Sequence, residues 1–264
     1  MALFFASIAS GSNGNCYYVG THENAVLIDA GISCRETERR MTRRGLNIRR
    51  VKALFITHEH SDHTRGAEVI SRKHRIPVYA TRATFDHSGM NIQPGLIREC
   101  APHESIRIGD LTVESIPKLH DGRDPLSFTV TGGGYTVGVF TDIGEPCENV
   151  ISHFRRCHAA FLESNYDETL LEEGRYPYFL KRRIRGTSGH LSNDQSLGLF
   201  LSHRSERLSH LILSHLSQEN NQPEIVRDLF LPHAAGVKIV VASRFEESEL
   251  FSLGEFTGQL NFIN

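Results

Sequence analysis

The chain has 264 residues, room for one large domain or two small ones and ample for a buried core. Its 29 Lys and Arg against 31 Asp and Glu leave a formal charge of -2, so it is no polycation, and affinity for nucleic acid has to come from a local basic patch or from metal ions. No apolar run approaches the roughly 20 residues of a membrane span, and five scattered cysteines without a C-x-x-C pair argue against a disulfide frame or a cysteine zinc knuckle and for a reducing cytoplasm.

Phe4–Ala9 is apolar and strand-like, and the opening residues lack the basic region of an export signal. The turn cluster Ser10–Asn15 follows, then strands over Cys16–Val19 and Ala25–Asp29. Glu36–Arg44 suits a helix that Gly45 could end, and Val51–Thr57 is a short apolar run of the buried-strand kind. A histidine cluster comes next, then a helix over Gly66–His74 and a strand over Ile76–Ala80. From Ser105 to Thr141 short strands repeat (SIRI, LTVESI, SFTV, YTVGVF), with hairpin turns at Gly109-Asp110 and Gly132–Gly134. Ala159–Glu163, His210–Leu213 and Val237–Ala242 read as later strands, with helices over Asp194–His203 and Pro223–Phe230. Many strands in both halves, with helices between them, predict an α/β sandwich in one domain over residues 1–264, two sheets inside and helices outside.

The main chemical signal is His58-Glu59-His60-Ser61-Asp62-His63, three imidazoles and a carboxylate directly after a buried strand. Imidazole nitrogen and carboxylate oxygen are good ligands for zinc and similar ions. In an extended backbone, residues two apart point the same way, so His58 and His60 can share one ion while Asp62 and His63 serve a second. Short histidine clusters also occur on surfaces without function, but a strand-end loop is where functional groups are presented. Asp29, His120, Asp142 and His215 each terminate an apolar run as well.

HEHSDH is the H-x-H-x-D-H motif of the metallo-β-lactamase superfamily, and Asp29, His120, Asp142 and His215 match its other motifs in order. Within it, SGSNGN at 10–15, ESNYD at 163–167, GRYPYFLKRRIRG at 174–186, GHLSN at 189–193 and HLSQENN at 215–221 resemble the YycJ/WalJ group of bacterial proteins. The resemblance implies a four-layer αββα sandwich. It implies that His58, His60 and His120 hold one divalent ion, that Asp62, His63 and His215 hold another, and that Asp142 bridges them. Asp29 would hydrogen-bond the histidine loop. Zinc suits this set, with manganese, iron and nickel as alternatives. Diiron oxidoreductases of this fold carry Glu where this chain has His60, and its β-lactamases usually carry Cys where this chain has Asp142. Both differences favour a carboxylate-bridged hydrolytic site that suits phosphodiesters.

Beside the ligands, Asp62, Glu163 and His190 are the catalytic candidates. Glu163 and His190 resemble the Glu and the HST-loop His of tRNase Z, a nuclease of the same superfamily, where the two form a carboxylate–imidazole unit near the leaving group. The plainer reading has His190 packed at a helix start. Lys181, Arg182, Arg183 and Arg185 form the densest basic run, preceded by Tyr176, Tyr178 and Phe179; they could hold phosphates and stack bases, or be a solvated helix face. The arginines at 39–40, 43–44 and 49–50 read as a solvated helix surface. Ser10–Asn15 reads first as a tight turn and then as a site-lining loop.

Three functions compete. The favoured one is a two-metal nuclease or phosphodiesterase, in particular an exonuclease, with DNA or RNA as its partner and no membrane. The second is another hydrolase of this fold acting on a small ester, thioester or cyclic nucleotide. The third is a regulatory protein with structural metals, disfavoured because a structural zinc closes with four ligands and needs no second ion.

Overall fold

The computed structural model describes residues 1–254; the last ten residues of the expected domain lie outside the described residues. In chain order the strands are β1 (Leu3–Ala9), β2 (Cys16–Gly20), β3 (Ala25–Ile28), β4 (Val51–Phe55), β5 (Val78–Ala80), β6 (Ile97–Glu99), β7 (Ser105–Ile108), β8 (Leu111–Pro117), β9 (Leu126–Gly132), β10 (Tyr135–Phe140), β11 (Ala159–Glu163), β12 (His210–Ser214), β13 (Lys238–Val241) and β14 (Phe251–Leu253). They form two seven-stranded sheets, ordered β14-β1-β2-β3-β4-β5-β6 and β13-β12-β11-β10-β9-β8-β7. The sheets share one plan. β14 to β3 and β7 to β10 are antiparallel, and β4 to β6 and β11 to β13 then add in parallel.

Three buried clusters make the layers. Alternation along β1 sends Leu3 and Phe5 between the sheets and Phe4, Ala6 and Ile8 to the outer face. The inter-sheet cluster joins Val19, Ile28 and Phe55 to Val130, Val139 and Phe161, with the rings of Phe5 and Tyr17 at 6.0 and 4.8 Å from Phe161. Outside the first sheet lie α1 (Cys34–Arg43), α3 (Ala67–His74) and α4 (Arg82–Ser88); outside the second lie α5 (Glu148–Phe154), α8 (Asn193–His203) and α9 (Pro223–Phe230). This is the expected αββα sandwich. No helix among the described residues is long and apolar enough to cross a membrane.

Most expected elements are in place within a residue or two. The run Val51–Thr57 stops as a strand at Phe55, because Ile56 and Thr57 turn into the histidine loop. Short segments without a strong period were missed: α4, α5, β6, β14, α2 (Ser61–Thr64) and α6 (Glu168–Glu173). The basic run forms α7 (Tyr178–Arg185).

One expectation holds only in part. Arg39 and Arg43 of α1 are exposed, as a solvated helix surface requires, but Arg40 is not. Arg40 is only 6% exposed and donates to Ile8 O (3.0 Å) and Phe245 O (2.9 Å). Arg43 Nη2 lies 2.6 Å from Glu247 Oε2, and Arg44 donates to Glu247 O. Ile8 is 32 residues from Arg40, and Phe245 and Glu247 are some 200 residues from their arginines, so no local pattern reveals these partners.

Candidate metal centre

The candidate ligands, together with Asp29 and Glu163, fall at the carboxyl ends of strands, on one edge of the sandwich, where open α/β sheets hold their ligands. Asp29 follows β3, the HEHSDH loop follows β4, His120 lies three residues past β8, Asp142 two past β10, and His215 follows β12; Glu163 ends β11. Asp29, Asp142 and His215 have φ of 63°, 53° and 57°, a left-handed conformation that non-glycine residues adopt at a cost and that concentrates at functional sites. The strand-end turn aims each side chain into the edge.

Two loops wrap the histidine loop by backbone bonds: Asn15 N, in the loop after β1, donates to Asp62 O, and Ala30 N, in the loop after β3, donates to His63 O, both at 2.8 Å. Gly31 permits this contact: a Cβ there would sit 1.6 Å from Asp62 O. Buried Asp29 accepts from Thr57 N (2.8 Å), Thr57 Oγ1 (3.0 Å) and His63 Nδ1 (2.7 Å). Thr57 Oγ1 in turn accepts from His58 Nδ1 at 2.9 Å. His120 Nδ1 donates to Gly189 O (3.0 Å) and His215 Nδ1 to Glu163 Oε1 (3.0 Å). With Nδ1 engaged, His58, His63, His120 and His215 each keep Nε2 for the centre. His60 is turned the other way, with Nδ1 at 3.0 Å from His58 Nε2.

The residues fit divalent cations. His120 Nε2, His215 Nε2 and Asp142 Oδ2 are buried without a hydrogen-bond partner. Nitrogens of His58, His60 and His120 lie within 4.8 Å of one another, as do donor atoms of Asp62, His63 and His215; Asp142 groups with His58 and His63 and also with Glu163, His190 and His215. Asp142 Oδ2 is 3.1 Å from His63 Nε2, while its Oδ1 is 3.5 Å from His215 Nε2 and 3.7 Å from His120 Nε2. Donors sharing a tetrahedral ion at 2.0–2.1 Å lie about 3.3 Å apart, so these spacings suit ligands better than partners of each other. A separate grouping, Cys34, Glu38 and His74, already has a cation, since Lys73 Nζ is 2.6 Å from Glu38.

The electrostatics follow from burial and crowding. Burial, with His63 adding to it, keeps His58 neutral and its pKa well below the ordinary imidazole value, and burial takes His120 down to about 4. For His63 and His215 burial also disfavours charge, but Asp142 and its neighbouring carboxylates outweigh it; His63 rises well above the ordinary value and His215 is pushed up to about 10. In Asp142 burial opposes ionisation and is overcome by His215 and His63, so its carboxyl stays well below the usual range.

Glu163 and His190, 27 residues apart, meet: His190 Nδ1 donates to Glu163 Oε1 at 2.8 Å. Glu163 Oε2 accepts from Ile143 N (2.7 Å) and Leu191 N (3.2 Å). Burial works against this carboxylate, yet His190 and His215 hold its pKa down to about 2. A capping box, Ser192 with Gln195, fixes the start of α8 just after His190. His190 lines a cavity of about 190 Å³ with Ser12, Asp121, Tyr176, Arg183 and Ser217.

The basic run divides. Arg183 faces this cavity and donates through Nε to Asp121 Oδ2 at 2.6 Å. Lys181 is taken up by Glu172 O, and Arg185 by Glu168 and Glu172. Arg182 is exposed. Tyr178 and Phe179 are 78% and 73% exposed, whereas Tyr176 lines the cavity.

Three further residues take part: Asn15 belongs to the loop expected to line the site, whereas Asp121 and Lys118 were not anticipated. Asn15 Nδ2 sits 3.2 Å from His63 Nε2 and 3.3 Å from Asp62 Oδ2. Asp121 Oδ1 is 3.3 Å from His120 Nε2 and 3.7 Å from His60 Nε2. Buried Lys118 donates to Thr141 O (2.6 Å) and so ties the approach to His120 to the approach to Asp142. An acid next to a strand-end histidine was the available signal for Asp121.

Residues 24–215 match the Beta-lactamase superfamily domain, and the chain belongs to that family. It is 35% identical to the exodeoxyribonuclease YycJ of Bacillus anthracis, over 86% of this chain and 87% of that one. It is 28% identical to the exodeoxyribonuclease WalJ of Streptococcus pneumoniae, over 92% of each. Among solved structures, the metallo-β-lactamase fold protein YhfI of Bacillus subtilis superposes with a TM-score of 0.74 at 13% identity, covering 95% of this chain and 99% of that one.

Proposed function

We propose that the protein is a metal-dependent exonuclease acting on DNA, a single catalytic domain that works in a reducing cytoplasm with two divalent ions, zinc being the best-suited. The observation that carries the reading is the Glu163–His190 pair set beside the donor ring, in a cavity that also presents a guanidinium. The likeness to two proteins named exodeoxyribonucleases supports the choice of DNA and of attack from an end. All five cysteines are unpaired, as a reducing compartment requires.

His58, His60 and His120 would hold one ion, Asp62, His63 and His215 the other, and Asp142 both; such a pair acidifies water and stabilises the attacking and leaving oxygens of an in-line displacement. The chain's own work is positioning and proton transfer. Asp29 and Thr57 fix the rings of His58 and His63. Glu163 occupies His190 Nδ1, which leaves Nε2 as the atom that can protonate the departing nucleotide oxygen. Arg183 is placed to hold a phosphate once it exchanges Asp121 for substrate, and exposed Arg182 adds a second contact. A cavity open to solvent beside the donor ring favours hydrolysis over a purely structural metal.

A cleavage panel tests this. End-labelled single- and double-stranded DNA and RNA are incubated with chelator-treated protein resupplied with zinc or manganese. Nucleotides released progressively from DNA ends support the reading; intact polynucleotides alongside turnover of small esters overturn it.

A further inference from the structure

β13 lies one strand beyond β12, about 4.8 Å away. Its carboxyl end runs into Ala242-Ser243-Arg244-Phe245 on the same edge as His215, and the chemistry above makes no use of it. A cavity of about 300 Å³ opens there, lined by Ser10, Leu216, Ser217, Pro223, Ala242 and Phe245 among others. Two contacts make it continuous with the metal centre. Ser217 lines both this cavity and the one holding His190 and Arg183. Ser10 Oγ accepts from His215 N at 2.8 Å.

Phe245 is the unusual element. Its ring is 78% exposed, yet its backbone is pinned: N donates to Ser243 Oγ (3.1 Å) and O accepts from Arg40 (2.9 Å). The segment around it is tied at every side. Arg244 donates to Leu216 O (2.6 Å) and Gln218 Oε1 (3.2 Å). Glu247 is held by Arg43 and Arg44, and Ser248 N donates to Ser7 O (2.8 Å). The arginines of α1 thus immobilise the segment that carries an exposed aromatic ring. Such a ring adds little to folding, because it remains in water. A rigid, solvent-facing ring beside a cavity with aliphatic walls and hydroxyl and amide edges is how proteins receive the face and edges of a nucleobase.

We propose that this cavity is a second substrate subsite, in which Phe245 stacks on a base of the DNA strand whose neighbouring phosphate lies at the metal centre. The proposal rests on the nuclease reading. It assigns α1 a purpose: Arg40, Arg43 and Arg44 are positioning residues that act through the 243–248 segment.

The test uses the metal-loaded full chain and single-stranded DNA carrying 2-aminopurine at successive positions from the end. In the parent, one position near the cleaved phosphate is quenched on binding. Phe245→Ala abolishes that quenching and raises KM for DNA about tenfold to a hundredfold, the range for one stacked base, with a smaller effect on kcat. Phe245→Trp restores both. If the parent cleaves DNA but Phe245→Ala keeps the quenching and KM, the subsite is wrong while the nuclease reading stands. If the parent neither binds nor cleaves DNA, the nuclease reading fails and this one with it. A fall in kcat alone points to a structural role and overturns the subsite. So does a change of oligomeric mass in Phe245→Ala with unaltered DNA binding, which assigns the ring to a contact between chains.

Discussion

Glu163→Gln separates the carboxylate that organises the site from the residues it organises. Four donors converge on Glu163: His190 and His215 through Nδ1 on one oxygen, Ile143 N and Leu191 N on the other. Glutamine offers one oxygen and one NH2. Turning the NH2 toward the backbone pair strands two buried N–H donors at roughly 1–3 kcal/mol each, about 2–6 kcal/mol together. The oxygen therefore stays with the backbone, and the NH2 faces two imidazoles. These can accept from it only by moving their protons from Nδ1 to Nε2. In His215 that proton occupies the nitrogen needed for the ion; for His190 the substitution itself removes the carboxylate that supported proton donation. Calorimetric titration of the chelator-treated variant should show one of two ions bound about tenfold to a hundredfold more weakly, with the other unchanged. DNA cleavage should fall at least about a hundredfold. Parental affinity for both ions together with the parental rate would refute the tautomer argument and the place of Glu163 in the site.

Other expectations follow from the same geometry. His190→Ala should keep both ions and slow DNA cleavage by roughly a hundredfold to ten-thousandfold, while bis(p-nitrophenyl) phosphate, whose leaving group needs little protonation, loses much less; equal losses would give His190 another role. Arg183→Glu should weaken DNA binding and flatten its salt dependence by about one unit per lost phosphate contact, as should Arg182→Glu; unchanged slopes in a salt titration would leave α7 a solvated face. His63 and His215, raised by Asp142 and its neighbours against their burial, carry protons near neutrality, whereas Asp62 and Asp142 are already ionised. Ion binding therefore expels protons and tightens as pH rises through neutrality toward the His215 value of about 10. Binding enthalpies that differ between buffers of different ionisation enthalpy would show this, and identical enthalpies would contradict it.

Much of the site was legible because its residues break a local rule. Asp29, Asp142 and His215 are polar groups at the ends of apolar runs, and the left-handed backbone at all three is the conformational counterpart of that break. The sandwich was legible from many strands in both halves with helices between them, and its four-layer form from the resemblance. What stayed hidden depends on distant partners. Arg40 sits in a helix whose charge density suggests solvent, but β1 at Ile8 and the return of the chain at Phe245 take up its guanidinium. Arg183 and Arg185 are two residues apart in one basic run, yet one pairs with Asp121 at the cavity of His190 and the other with Glu168 and Glu172 away from it, a distinction set by where α7 docks. The pairing of Glu163 with His190 was suggested by resemblance, since nothing local links the two.

The central claim is that this strand-end edge holds two ions bridged by Asp142. Anomalous diffraction from crystals of the zinc-saturated protein tests it most directly. Two peaks are expected, one among His58, His60 and His120 and one among Asp62, His63 and His215, with Asp142 touching both. A single peak at saturating zinc, or peaks away from Asp142, would contradict it.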